Sequence, residues 1–198
     1  MSNKYIETAY NAFKIESESI LKTAEVLDEN ELKKAIEVLA KAERIASSGC
    51  GHSGIACRHF AHLMCCIERP ARFLSPAEAV HGGLGYLQRG DVILLVSRGG
   101  KTDELIPIGK ICKDKGVTVI TVTENASSPL AELADIVLLM HITRECDKYN
   151  CQGTTSFAVT SAIFDAIQAA LVEYTEFQNE EFAVIHPGGA VGKRLNSK

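Results

Sequence analysis

Two short turns hold the residue types that could do chemistry in this chain. The first, Gly49-Cys50-Gly51-His52-Ser53-Gly54, is a G-x-G-x-x-G pattern between an apolar run and a helical one. The second, Ser97-Arg98-Gly99-Gly100-Lys101-Thr102-Asp103-Glu104, follows the apolar run Val92-Ile93-Leu94-Leu95-Val96. A buried strand, a small-residue turn and a helix start together hold phosphate, because free backbone N–H groups and the helix dipole converge there. Gly100-Lys101-Thr102 matches the end of a P-loop, but the first glycine of that motif would fall on Leu95, inside the strand. A dinucleotide site at the first turn would want an acid closing the second strand. That strand ends Arg72-Phe73-Leu74-Ser75-Pro76, and Glu78 arrives late. Glycines that merely permit a tight bend explain one such turn. Two on one sheet favour a small phosphorylated ligand.

The elements that must position these turns alternate. Helical spacing predicts a long amphipathic helix over 5–27 and a second over 31–42 capped by Asn30. From residue 42 strand-like runs at 44–48, 71–74, 91–96, 117–122 and 135–140 alternate with helical ones at 53–66, 102–115 and 128–134. A connecting segment with a helical stretch covers 76–87, and a final helix runs over 154–176 with a Gly-Pro tail behind it. This pattern predicts an α/β domain: a parallel five-stranded sheet covered on both faces, preceded by N-terminal helices. We divide it as 1–41, a helical segment packed on the core, and 42–198, the ligand-binding domain. In open parallel sheets the ligand lies beyond the carboxyl ends of the strands. Three polar turns fall there, at 49–53, 97–104 and 141–146.

Composition narrows the partners. At 198 residues and a net charge of -4, the chain gives no electrostatic reason to expect nucleic acid or an anionic membrane. Seven scattered cysteines behind a polar, acidic amino-terminal stretch, with no apolar run near the roughly 20 residues of a membrane span, predict a reduced cytoplasmic protein. His59, His62, Cys65 and Cys66 share one segment but lack paired C-x-x-C spacing, so buried helix residues are expected there and no metal. No cofactor is implied.

Gly49-x-Gly51-x-Ser53-Gly54, then Pro76-Ala77-Glu78-Ala79-Val80-His81-Gly82, then Gly90-Asp91-Val92 and the second turn, resemble in order a sugar isomerase (SIS) domain. The tail Phe182-Ala183-Val184-Ile185-His186-Pro187-Gly188-Gly189-Ala190-Val191-Gly192-Lys193-Arg194-Leu195 narrows the resemblance to the catalytic portion of arabinose-5-phosphate isomerases. The resemblance covers about residues 40–195. It implies the SIS fold, a three-layer αβα sandwich, and a homo-oligomer, dimer or tetramer, with sites shared between subunits. Typical members add a pair of CBS domains, and a chain ending at Lys198 implies that the pair is missing.

The implied reaction is aldose–ketose isomerisation of a phosphorylated sugar through an enediol, which needs a base, an acid for the carbonyl oxygen and a phosphate anchor. The family's glutamates fall on Glu104 and Glu145, its tail histidine on His186 and its loop histidine on His81. Glu104 or His186 handles the proton, and His81 and Glu145 orient hydroxyls or aid ring opening. The phosphosugar would contact Gly51, His52, Ser53, Ser97, Gly99, Gly100, Lys101, Thr102, Thr154 and Thr155. Each has a plainer reading. Glu104 in a first helical turn complements the helix dipole by about 0.3–1 kcal/mol. Glu145 beside Arg144 is a surface ion pair, His81 and His186 are loop and tail residues, and Thr154-Thr155 cap a helix.

This chain also departs from the family. The first-turn lysine is His52; Gly99 replaces the second serine of Ser-x-Ser-Gly-Glu-Ser/Thr and Lys101 its acid; Gly83 replaces an aspartate. The segment usually written Cys-Pro-Leu-x-Leu-Ala-Pro-Thr reads Cys146-Asp147-Lys148-Tyr149-Asn150-Cys151-Gln152-Gly153-Thr154. A non-catalytic phosphosugar-binding module is therefore the alternative to an isomerase.

Overall fold

The run Val92–Val96 is apolar at every position because both of its faces are covered. In the computed structural model, which describes residues 3–197, Val92, Leu94 and Val96 pack into one core cluster and Ile93 and Leu95 into another. Alternation of side chains across a strand makes this the signature of a central strand between helical layers.

Two helices lead the chain, α1 (Lys4–Val26) and α2 (Glu29–Lys41). The alternating region then runs β1 (Ile45–Gly49), α3 (Gly51–Cys65), β2 (Ala71–Phe73), α4 (Pro76–Ala79), a 3-10 turn (Gly83–Tyr86), β3 (Val92–Val96) and α5 (Ile106–Lys115). It continues through β4 (Thr118–Thr123), α6 (Pro129–Leu133), β5 (Ile136–Leu139) and α7 (Thr155–Tyr174), and closes with α8 (Asn179–Ile185) and α9 (Gly189–Asn196). The sheet is parallel in the order β2-β1-β3-β4-β5. The chain steps outward from β1 to β2 and returns to β3 on β1's other side. The strand order thus reverses between β1 and β3, where parallel sheets open a crevice. Gly49 pairs with Val96 and Val96 with Val122, so the turns after β1 and β3 leave the sheet side by side.

One layer is α2, α3 and α7, with Leu39, Phe60, Met64, Phe164 and Ile167 in a common cluster. The other is α5, α6 and the 74–87 segment, contributing Ile108, Cys112, Leu130 and Leu87. The expected three-layer αβα sandwich is this arrangement, and the N-terminal segment joins it through Ala35 and Leu39, both fully buried. The outer limits of the two expected regions, residues 1 and 198, lie outside the described residues. Of the described helices α7 has the length and apolarity to cross a membrane by composition, which the sequence reading overlooked. Its Val159, Ile163, Phe164, Ile167 and Leu171 are packed in the core.

Three boundaries differ from expectation. Asp28, not Asn30, caps α2: its backbone is extended and its carboxylate accepts from Glu31 N at 3.0 Å. Helix α5 begins at Ile106 rather than 102, because Pro107 fits only a first turn and deeper in the helix would strike the carbonyl of residue 103. The Gly-Pro tail, given no element in the sequence reading, forms two helices. A reciprocal capping box starts α8, with Gln178 N donating to Glu181 Oε2 at 2.8 Å.

Candidate active site

The first turn is built by close approach. A Cβ on Gly54 would lie 2.5 Å from the carbonyl oxygen of Gly49, and Gly51 has φ +55°, so these glycines let α3 start directly against the end of β1. Beyond them lies a cleft of about 450 Å³ over the carboxyl ends of β1 and β2. It is lined by Cys50, Gly51, Arg58, Phe73, Ser75 and Glu104, among others.

The second turn is braced from inside. Ser97 Oγ lies 2.8 Å from Thr102 Oγ1 and accepts from Gly100 N at 3.1 Å. Leu130 N, at the start of α6, donates to Gly100 O at 3.1 Å, and Thr123 Oγ1 donates to Arg98 O at 3.0 Å. The two hydroxyls therefore hold the turn before they hold any ligand. Gly99 and Lys101 are exposed on its outer side. Glu104 sits in the turn ahead of α5 and faces the cleft, not along a first helical turn. Burial first, and the negative charge of Glu104 second, push the Cys50 thiol above its ordinary pKa.

The third element is the start of α7, and it excludes the plainer reading of Glu145. That carboxylate is 2% exposed and is no surface partner of Arg144, whose guanidinium donates instead to the carbonyls of Glu145 and Asp147. Glu145 Oε1 accepts from Arg98 Nη1 at 2.8 Å. Its other oxygen accepts from Ser156 N at 3.2 Å and from Thr154 Oγ1 at 3.4 Å. Thr154 makes no side-chain cap of its own. Its hydroxyl and that of buried Thr155 turn toward Cys146, accepting from Cys146 N at 3.1 Å and lying 3.3 Å from Cys146 Sγ. A negative charge on the free N–H groups of a helix start is stabilising, and Glu145 supplies it from the loop that leads into α7.

The three turns meet. His52 is exposed on the first, with its ring edge against Phe157 (centroids 6.4 Å apart) and 3.2 Å from where a Cβ on Gly153 would be. Half-buried Ser53 follows it. Arg98 ties the second turn to Glu145. Gly51, His52, Ser53, Ser97, Gly99, Gly100, Lys101, Thr102, Thr154 and Thr155 thus share one end of the sheet, with Glu104 beside them. His81 and His186 are not among the residues lining the cleft. His81 is exposed after α4. His186 follows α8, against Phe182 (centroids 4.8 Å apart), with Nδ1 buried and unpartnered. Phe182 lines a hollow with Cys66, Gln168 and Phe177, at the opposite ends of α3 and α7 from the cleft.

The sequence reading missed Arg58 and Arg98. Arg58 lies one turn beyond Gly54 on α3, its guanidinium carbon 4.1 Å from the centroid of the Phe73 ring, and brings a cation to the cleft beside Glu104. Its helical spacing from Gly51 and Gly54 was the available signal. The histidines weighed for metal binding divide, His59 Nε2 lying 3.1 Å from Asp165 Oδ1 and His62 Nε2 3.6 Å from Cys66 Sγ.

Comparison with known proteins bears on the family and the fold. The SIS domain family model matches residues 38–170. A Haemophilus influenzae protein named probable arabinose 5-phosphate isomerase is 34% identical over 194 residues, covering 98% of this chain and 58% of its own length. The arabinose 5-phosphate isomerase KdsD of Pseudomonas aeruginosa is 33% identical, covering 96% of this chain and 59% of its own. The chain therefore spans little more than half the length of these curated relatives. A Listeria monocytogenes structure, provisionally called a sugar-phosphate isomerase, superposes with a TM-score of 0.91 at 40% identity, covering 95% of this chain and 100% of that one. An Escherichia coli CFT073 protein solved in complex with arabinose 5-phosphate gives 0.81 at 28% identity, covering 94% and 100%. With its family match over most of the chain and its parallel sheet in the order β2-β1-β3-β4-β5, this chain belongs to the SIS-domain family.

Proposed function

We propose that the chain is a sugar-phosphate aldose–ketose isomerase that interconverts arabinose 5-phosphate and ribulose 5-phosphate through an enediol. The observation that carries this is Glu104, a carboxylate in the cleft at the end of β1, next to a phosphate-type turn. The identities of the curated relatives support the same pair of sugars. Glu104 takes the C2 proton of the open-chain aldose, the C2–H pair becomes the C1=C2 bond and the carbonyl pair moves onto O1; a proton passes from O2 to O1 through the enediol, and Glu104 returns its proton to C1 as C2=O forms. The phosphate lies on the N–H groups of Gly99, Lys101 and Thr102 with the Lys101 ammonium, since Gly100 N is taken by Ser97; Thr154 stands on the facing wall, and buried Thr155 packs behind it. Glu145, with both oxygens engaged, positions that wall and exchanges no proton. His81 and His186, which do not line the cleft, are supplied by a second copy of the chain in a homo-oligomer with shared sites. Seven free thiols fit a reducing, cytoplasmic setting.

The decisive experiment follows exchange of the substrate's C2 hydrogen with solvent deuterium over a panel of pentose and hexose phosphates. Exchange and turnover with arabinose 5-phosphate are expected, and Glu104→Gln lowers both by about 10²–10⁴-fold. No exchange with any sugar phosphate sinks the reading. Thermal stabilisation by those ligands without exchange would identify a binding module instead, the alternative that the departures at His52, Gly99 and Lys101 motivate.

A further inference from the structure

Arg98 stands inside the phosphate turn, where an arginine would ordinarily be read as a ligand for the anion. Two of its three guanidinium nitrogens are committed elsewhere. Nη1 donates to Glu145 Oε1 at 2.8 Å and Nε to Glu124 Oε2 at 2.8 Å. Both carboxylates carry the link onward with their second oxygens. Glu145 Oε2 accepts from Ser156 N at 3.2 Å and from Thr154 Oγ1 at 3.4 Å, and Glu124 Oε1 accepts from Ile142 N at 3.3 Å. The backbone of Arg98 is fixed as well, since its carbonyl accepts from Glu124 N at 2.9 Å. Glu145 is 2% exposed, so its charge has no water to fall back on if the guanidinium turns away. A continuous chain of charge-assisted hydrogen bonds thus runs from the second turn through Arg98 to the first residues of α7.

We infer that Arg98 is a positioning residue: it clamps the 97–102 turn to the start of α7 through Glu145, so that the two walls of the phosphosugar site move as one unit, and it does not itself bind the phosphate. The inference deepens the proposed function and rests on it for its ligand. The coupling between the walls is a property of the free protein.

The test uses Arg98→Met, Glu145→Gln, the double variant and Arg98→Lys. The double variant and Arg98→Lys leave no unpaired charge buried at Glu145, so they keep the test open where a single variant folds poorly. Two measurements are made. Amide hydrogen exchange is followed without ligand in peptides covering 97–104 and 153–158. KM and kcat are measured with arabinose 5-phosphate. In the clamp, each single variant raises exchange in both peptides and raises KM by about tenfold or more, with kcat within about threefold. The double variant is no worse than the poorer single, because residues acting through one contact are not additive. Arg98→Lys, which can meet one carboxylate but not both, falls between. The inference is overturned if Glu145→Gln leaves exchange in 97–104 and KM at wild-type values while Arg98→Met raises KM, since Arg98 is then a direct phosphate ligand. If no sugar phosphate is turned over by the unmodified chain, the proposed function fails. The exchange arm still decides the clamp: loosening of both peptides supports it and loosening confined to each variant's own segment refutes it.

Discussion

Substituting Gly100 by alanine should break the second turn, whereas the same change at the adjacent Gly99 should be harmless. Gly100 has φ +65°, and a Cβ there would lie 2.0 Å from Ser128 Oγ and 2.4 Å from Ser128 Cβ. Two costs add. Holding an L-residue in the left-handed region costs about 1–2 kcal/mol. Forcing a methyl group into a filled site costs about 1–3 kcal/mol more. Taking roughly 3 kcal/mol as the sum, at about 2–4 °C per kcal/mol for a domain of this size, Tm falls by roughly 6–12 °C. Gly99 has open space around its Cβ position and no positive φ, so Gly99→Ala stays within about 0.5 kcal/mol of wild type. Urea denaturation of both variants measures the contrast. A third protein, Gly100→Ala with Ser128→Gly, separates the terms. It removes the overlap but not the φ penalty, at only a few tenths of a kcal/mol for the weakened cap of α6. It should recover about 1–3 kcal/mol. Equal stability of Gly100→Ala and Gly99→Ala would refute the reasoning, because the turn would then not be seated against α6.

Three further outcomes are expected. Glu104→Gln and His186→Ala should each be inactive alone, and their co-refolded mixture should regain about a quarter of wild-type activity, because random pairing of copies unites the two intact residues in one site that often; no recovery would place the site within one chain. Iodoacetamide should alkylate Cys50 faster in Glu104→Gln than in wild type at equal pH, since the charge of Glu104 helps keep that thiol protonated, and unchanged rates would remove Glu104 from the neighbourhood. Asp147 has its carboxyl held below the ordinary 3.8, chiefly by the backbone N–H of Gln152 and then by those of Cys151 and Tyr149. A depressed folded-state pKa gives stability that is present above the unfolded value and lost as pH falls through the folded one. The stability difference between wild type and Asp147→Asn should therefore hold above about pH 5 and shrink below about pH 4, and a pH-independent difference would contradict the assignment.

What the sequence made legible was local, and what it hid was long-range. The apolar run of β3 and the two glycine turns predict a covered parallel sheet and its ligand edge, because side-chain alternation and positive φ are properties of neighbouring residues. The start of α5 was misplaced although Pro107 marked it, and α8 was missed although Gln178 and Glu181 stand at capping-box spacing. Glu145 shows the harder limit. Beside Arg144 in sequence it reads as a surface pair, yet its partner is Arg98, 47 residues away, and its second oxygen serves a helix that starts ten residues later. Nothing in the spacing of those residues announces such a contact; the parallel run β3-β4-β5, which brings the carboxyl ends of these strands to one edge, and the start of α7 beside them create it.

On the proposed reading a second copy completes the site by bringing its His186 to the cleft. Helix α7 spans 20 residues, about 30 Å at the usual rise, from its start beside Glu145 to its end beside Phe177. The cleft is at the first end, and α8 begins beyond the second. Within one chain, therefore, His186 packs on Phe182 toward the far ends of α3 and α7, away from the end at which Glu104 lines the cleft. The tail also lacks support of its own. Helices α8 and α9 have 7 and 8 residues and bury no side chain, Gly192 being their one buried residue. Isolated helices shorter than about 12–15 residues are marginal in water, so local caps alone do not hold them. Val184 is 77% exposed and Val191 40%, while the outer face of α1 exposes Tyr10 and Phe13 by 69% and 71%. Apolar surface of this kind on a marginal tail is stabilised when another chain covers it. On the proposed reading, the contact that orders the tail is the contact that delivers its histidine.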